Sequence, residues 1–265
     1  MWILATESYS FFQDVSITEF LGGTKWSPLL RPQSFGVLPL VCGTLHIVLG
    51  ASLFAIPVGL LSAIYLREYA SARTQSILKP VLELLAGIPT VVYGYFALTY
   101  MTPLIKEIIP GVQIFNSASA SLVVGIMILP MVCSLCDDAL RSIPEGLREG
   151  GFAMGATSLE VTTQIALPAA ASGVFASFVL AISRAIGETM VVTLAAGATP
   201  NLTADPRESI QTITAYIVQV SLGDAPAGTT SYKTLFAVAA LLFVITLVIN
   251  LLANLMLRRY KAVYE

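Results

Sequence analysis

Within the apolar stretches of this 265-residue chain, the only formal charges are Arg184 and Glu188. A guanidinium keeps its charge at any accessible pH, and its planar fork offers paired donors that match an oxyanion. A carboxylate four residues later falls on the same face if one helix carries both. An ionisable side chain at that depth costs at least about 2.5–3.5 kcal/mol on insertion scales, so it turns toward the bundle interior. Two uses fit. Arg184 lines a path and attracts an oxyanion, while Glu188 neutralises it at rest and is displaced or reoriented during passage. Alternatively, the two form a fixed ion pair that locks helix packing. Glu188 alone repels an anion, so the two together do not make a simple anion-binding site.

Other reactive residues carry weaker signals. Cys133-x-x-Cys136 has the spacing of a redox or zinc half-site, and Cys42 and His46 stand four apart on another apolar run. Both pairs lie on predicted membrane helices, where free cysteine packs as a small apolar residue. Three cysteines make no disulfide framework. No lysine follows a glycine, so the phosphate-binding pattern G-x-x-x-x-G-K-[ST] is missing, and any nucleotide hydrolysis would belong to another chain. A membrane-embedded enzyme needs a clustered catalytic set. The apolar runs offer only Arg184, Glu188, His46 and scattered Ser, Thr and Cys.

The elements that must position these residues follow from composition. Charged residues make up 11% of the chain and apolar residues 56%, with a mean hydropathy of +0.81. A soluble domain carries about 25% charged residues. An ordinary soluble enzyme and a disordered chain are excluded. The net charge of -2 and a pI near 5.5 exclude a polyanion-coating, nucleic-acid-binding surface. What remains is an all-α polytopic membrane protein in contact with lipid. Spans of about 20 apolar residues are predicted at 37–66, 84–103, 118–136, 169–197 and 234–257. They do not alternate as barrel strands would.

With five spans, Arg67, Arg73, Lys79, Arg141, Arg148, Arg258, Arg259 and Lys261 fall on one side. Lys25, Arg31, Lys106, Arg207 and Lys233 fall on the other. The positive-inside rule puts the richer side, with the C-terminus, in the cytoplasm. Residues 1–36 are then an external segment, 37–257 the membrane domain, 198–232 an external loop and 258–265 a cytoplasmic tail. An external N-terminus without a signal peptide suggests a preceding span of which Met1–Leu4 is the stub. Residues 67–83 read as a short helix at the cytoplasmic interface. Gly87, Pro89 and Gly94 predict a kink with close helix contact at the start of the second span, with a hinge as the alternative, and Pro39, Pro57 and Pro130 invite the same interpretation.

The cytoplasmic loop 141–168, RSIPEGLREGGFAMGATSLEVTTQIALP, has two capping-box patterns, Ser142-x-x-Glu145 and Thr157-x-x-Glu160. Gly155 lies between them, where a helix can end in the left-handed region. Two short helices joined at Gly155 and stopped at Pro168 are predicted, forming an exposed knob suited to a partner.

Glu149-Gly150-Gly151-x3-Gly155-x9-Ile165-x-Leu167-Pro168 resembles the EAA loop of ABC-importer permeases, with Gly150 and Gly151 in place of two alanines. The resemblance implies that these residues couple to an ATPase subunit. Phe20–Pro28, Phe35–Leu40, Glu83–Gly94 and Arg184–Met190 are similar to segments of phosphate-importer permeases of the PstC type. The resemblance spans about residues 11–260. It implies a type I ABC-importer transmembrane bundle in the inner membrane, transporting inorganic phosphate. It also implies a second related permease, two ATPase subunits that bind ATP and Mg, and an extracytoplasmic phosphate-binding protein. This chain would hold no cofactor or metal of its own. The same architecture with another oxyanion such as sulfate or molybdate, the sister permease, and a channel are the alternatives.

Overall fold

Lipid offers no hydrogen-bond partner to a bare backbone, so apolar runs of this length close their amides internally as helices. The computed structural model describes residues 2–226 and 228–264. Side chains at 224, 254 and 256–264 lie outside that description, and with them those of Arg258, Arg259 and Lys261; Met1 lies outside it too.

In chain order, helices α1 (Trp2–Asp14) and α2 (Ile17–Gly22) precede strands β1 (Trp26–Ser27) and β2 (Ser34–Phe35). Helix α3 (Leu38–Ile64) continues through a π-helical turn at Tyr65–Tyr69 and is followed by α4 (Ala72–Gly87) and α5 (Thr90–Phe96). A second π-helical turn, Ala97–Met101, leads into α6 (Thr102–Ile108), then α7 (Ser117–Arg141), α8 (Glu145–Ala153) and α9 (Ser158–Glu160). A third, Val161–Ala166, joins α10 (Leu167–Ala169), followed by α11 (Ala171–Ile186), α12 (Met190–Ala195) and α13 (Ile213–Gln219). After a last π-helical turn at Val220–Asp224 comes α14 (Thr230–Tyr264).

Among the described residues, three helical stretches are long and apolar enough to cross a membrane: Leu38–Tyr69, Ser117–Arg141 and Thr230–Ala253. The count reaches five when two broken helix pairs are each taken as one span. The first, third and fifth predicted spans correspond to α3, α7 and α14. The other two need correction. The second, predicted as 84–103, is interrupted at Ile88–Pro89, and its first residues belong to α4. Pro89 has no amide to donate and forces Ile88 out of the helical region, to φ -67° and ψ 130°. The fourth, predicted as 169–197, ends at Ile186, before Gly187. Its helical partner lies upstream, in Ser158–Ala169, at a bend of 70°. Helix α3 runs through Pro57 and α7 through Pro130 without ending.

Two of the π-helical turns run into a proline, at Pro103 and Pro168. The ring removes one donor and crowds the carbonyl four residues back, which falls inside the widened turn in each case.

The chain folds as two compact units, to which α3, α7 and α14 each contribute. The first comprises residues up to Ala51, Pro89–Val124 and Ala185–Val248. Its core is aromatic. Phe11 meets Phe12, Phe20 and Phe35 edge-on at 5.2–5.7 Å, and Trp26 meets Tyr216 at 4.9 Å. Each such ring pair adds about 0.5–1.5 kcal/mol beyond its buried area. The antiparallel pairing of Trp26 with Phe35 turns both rings inward. Tyr216 and Thr234 share a 2.6 Å hydroxyl hydrogen bond, and Asp14 pairs with Lys233 at 3.1 Å. The amides of Gln113 and Ser117 donate to the carbonyls of Arg207 and Glu208. The predicted external segment and the predicted external loop 198–232 therefore belong to one packed body, together with residues 103–117 between the second and third predicted spans. Within it, the stretch predicted as the loop 198–232 contains the helix α13.

The second unit comprises Ser52–Ile88, Gly125–Arg184 and the chain from Ile249. Small residues let its helices approach. A Cβ on Gly59 would stand 2.7 Å from Val132, and one on Gly173 would stand 2.6 Å from Ala139. Asp137 on α7 holds Lys79 of α4 at 2.7 Å and Arg141 at 3.4 Å.

Candidate functional site

The knob between α7 and α11 forms largely as its sequence indicates. Helix α8 ends in a Schellman arrangement: the Ala156 amide donates to Gly151 O at 3.2 Å and the Gly155 amide to Phe152 O at 3.0 Å. Gly155 sits at φ +85°, open to a residue without a Cβ. The second capping box closes: Thr157 Oγ1 accepts from the Glu160 amide, and Glu160 Oε2 accepts from the Thr157 amide at 2.8 Å. Those bonds from the Thr157 amide and hydroxyl hold the Glu160 carboxyl below its ordinary pKa.

The first capping box does not form. Pro144, extended at ψ 132°, is the residue before α8, and Ser142 Oγ donates instead to Ala139 O at 2.8 Å. The predicted stop at Pro168 is also displaced. Pro168 is accepted in the first turn of α10, where its missing amide costs little, and the bend follows at Ala170.

The two ends of the EAA-like motif meet. A Cβ on Gly151 would lie 2.5 Å from Ile165 Cδ1 and 3.1 Å from Val161 Cγ2, so α8 rests on the π-helical turn below it. Gly150 has nothing within 4 Å of its Cβ position, and Glu149 is exposed. Leu167 and Pro168 are half-buried. Around these residues Leu147, Phe152, Leu159 and above all Met154, 89% exposed, present apolar side chains outward. Arg148 turns the other way: it is buried, 2.9 Å from Glu68, and donates to Leu140 O at 2.8 Å. The sequence places Arg148 only as an orienting charge. Its partner lies far off in the chain, and no local spacing announces it.

Arg184 and Glu188 do not share one helix, as their spacing predicts. Helix α11 ends at Ile186, and Glu188 lies in the turn before α12. Its Oε1 accepts from the amides of Met190 at 3.1 Å and Val191 at 3.2 Å, and its backbone carbonyl accepts from Thr214 Oγ1 at 2.7 Å. A helix start has free amides and a partial positive charge, and a buried carboxylate satisfies both. Arg184 is exposed in the last turn of α11, where its charge suits the helix end.

The remaining polar candidates have structural roles. Cys136 Sγ lies 2.9 Å from Ser177 Oγ and joins α7 to α11, and Cys42 Sγ donates to Thr203 O at 3.6 Å. Among the described residues no group of three or more His, Cys, Asp or Glu is placed to hold a metal. In the same unit as α13, the Arg207 guanidinium and amide hold the half-buried Asp205 carboxyl down to about 2. Gly94 packs α5 onto α12, where a Cβ would stand 2.8 Å from Leu194. Gly87 makes no such approach.

Residues 55–262 match the family model described as binding-protein-dependent transport system inner membrane component. A probable ABC transporter permease protein, YqgH, of Bacillus subtilis is 33% identical, covering 93% of this chain and 80% of that protein. The phosphate transport system permease proteins PstC of Haemophilus influenzae (32% identical, 91% and 81% covered) and PstC 1 of Mycobacterium tuberculosis (34%, 85% and 73%) are similarly related. Solved structures share the fold at lower identity. A bacterial alginate ABC transporter chain superposes with a TM-score of 0.68 at 19% identity, over 98% of this chain and 88% of that one. A chain of the MetNI methionine ABC transporter gives 0.63 at 19%, over 85% and 94%. By its sequence and its fold, the chain belongs to the family of binding-protein-dependent transport system inner membrane components, the permease subunits of ABC importers.

Proposed function

We propose that this chain is a permease subunit of an ATP-driven importer of inorganic phosphate. The observation that carries the cargo is the 31–34% identity to PstC phosphate permeases over most of the chain. An exposed arginine beside the break between α11 and α12 agrees with an oxyanion cargo. In this reading a second, related permease completes the pathway, two ATPase subunits bind ATP and Mg, and a phosphate-loaded binding protein docks on the aromatic-cored body. The knob and the C-terminus face the cytoplasm.

The coupling residues have distinct parts. Gly155 and the Thr157–Glu160 box set the angle between the two short helices. Gly151 and Ile165 hold α8 against the turn below it, Leu167 and Pro168 carry that turn on into α10, and Glu149 and Gly150 are open to a partner. The outward apolar side chains supply the contact that an ATPase groove would bury. Arg184 attracts phosphate along the path. The part of Glu188 is to hold the start of α12, and with it the wall of that path.

Purification of the membrane complex in mild detergent tests the docking surface. The ATPase subunit should co-purify with the native chain. Met154→Glu, which puts a charge on an 89% exposed knob residue and disturbs no internal packing, should reduce its recovery severalfold. Undiminished recovery would place the ATPase elsewhere.

A further inference from the structure

We infer that the ion pair between Arg148 and Glu68 is the mechanical link through which α8 drives α3, so that Arg148 and Glu68 are positioning residues for the transport cycle. This rests on the reading of α8 as the ATPase-docking helix. Along α8, Leu147, Glu149 and Gly150 are exposed, whereas the Arg148 side chain is only 10% exposed and its partner Glu68 only 11%. Arg148 Nη1 stands 2.9 Å from Glu68 Oε1, a charge contact rather than an aligned hydrogen bond. Nη2 of the same guanidinium donates to Leu140 O at 2.8 Å, one of the carbonyls left free at the end of α7. One planar group thus ties α8 to the ends of two long helices, a geometry that lysine cannot reproduce.

Glu68 belongs to the π-helical turn that closes α3, and the Ala70 amide completes that turn by donating to Tyr65 O at 2.8 Å. Helix α8 is joined to α7 through Ser142–Pro144, and to the turn after it through the left-handed Gly155 and the packing of Gly151 on Ile165 and Val161. Both junctions lie outside helix, so neither transmits a shift of α8 along a continuous helix axis to α3. A desolvated charge pair resists separation, because parting it leaves each charge buried and uncompensated. When a docked ATPase shifts α8, the end of α3 is therefore pulled with it. Asp137 fastens α4 to α7 through the half-exposed Lys79, a contact that water can replace more readily.

The test uses the complete complex in proteoliposomes. It measures phosphate taken up per ATP hydrolysed, normalised to assembled complex, for the native chain, Glu68→Gln, Arg148→Gln and the double variant. Each single variant should lose coupling by roughly fivefold or more, the low end of inter-site coupling. The double variant should lose no more than either single one, because both remove the same link. An unchanged ratio, or losses that multiply in the double variant, would overturn the inference. Failure of the near-isosteric Gln variants to assemble would also overturn it, since the pair would then be a packing requirement. A native complex without ATP-driven uptake would instead sink the importer reading itself.

Discussion

Glu188 engages its carboxylate with the amides of Met190 and Val191, while Arg184, at the last turn of α11, is exposed to whatever occupies the space beside it. Arg184→Gln in the assembled complex should therefore cut phosphate uptake by roughly tenfold, the worth of a charge-assisted hydrogen bond, without lowering the yield of complex. Wild-type uptake by that variant would remove Arg184 from the path. The types of both residues, and their singular position within apolar sequence, are legible in the chain. Their separation onto different helices is not. Spacing by four implies a common face only while the helix continues, and a lone glycine such as Gly187 is common inside membrane helices. Arg148 is the converse case: an ordinary loop charge in sequence that proves to be buried against Glu68.

At the scale of elements, the knob divides its glycines by use. Gly150 lies in α8 with open space around it, whereas Gly155 stands at φ +85°. Gly150→Ala should protect α8 by about 1 kcal/mol, the propensity difference of a helix interior. Gly155→Ala should loosen the junction by about 1–2 kcal/mol, the strain of a Cβ in the left-handed region. Amide hydrogen exchange over residues 145–160 reads both, slower for the first and faster for the second. Exchange that slows in both would mean that Gly155 does not set the turn. The Thr157 box and the turn at Gly155 are visible in sequence because each is a contact over three or four residues. The Ser142 box fails although its pattern is equally good, because it would need Ile143, the residue before Pro144, in the helical region that the proline ring disfavours, and the helix begins only at Glu145. The strands Trp26–Ser27 and Ser34–Phe35 are too short to show alternation, and the aromatic cluster they complete joins Phe11 to Tyr216, a contact no local pattern carries.

For the whole molecule, the composition already selects a helical membrane protein, since 11% charge cannot clothe a soluble surface of this size. The five apolar runs give the count of spans when the two broken helix pairs are each taken as one, and the EAA-like spacing gives the family. Where those helices break is set by Pro89, Gly187 and Ala170 acting with their surroundings, which hydropathy averages away. The central claim is that this permease serves phosphate and draws on a separate ATPase. It is tested most directly by uptake of labelled phosphate into proteoliposomes holding the complete complex, with loaded binding protein outside and ATP supplied to the ATPase side. Uptake should require ATP and persist in excess sulfate. Uptake that proceeds without ATP, or that sulfate abolishes, would contradict it.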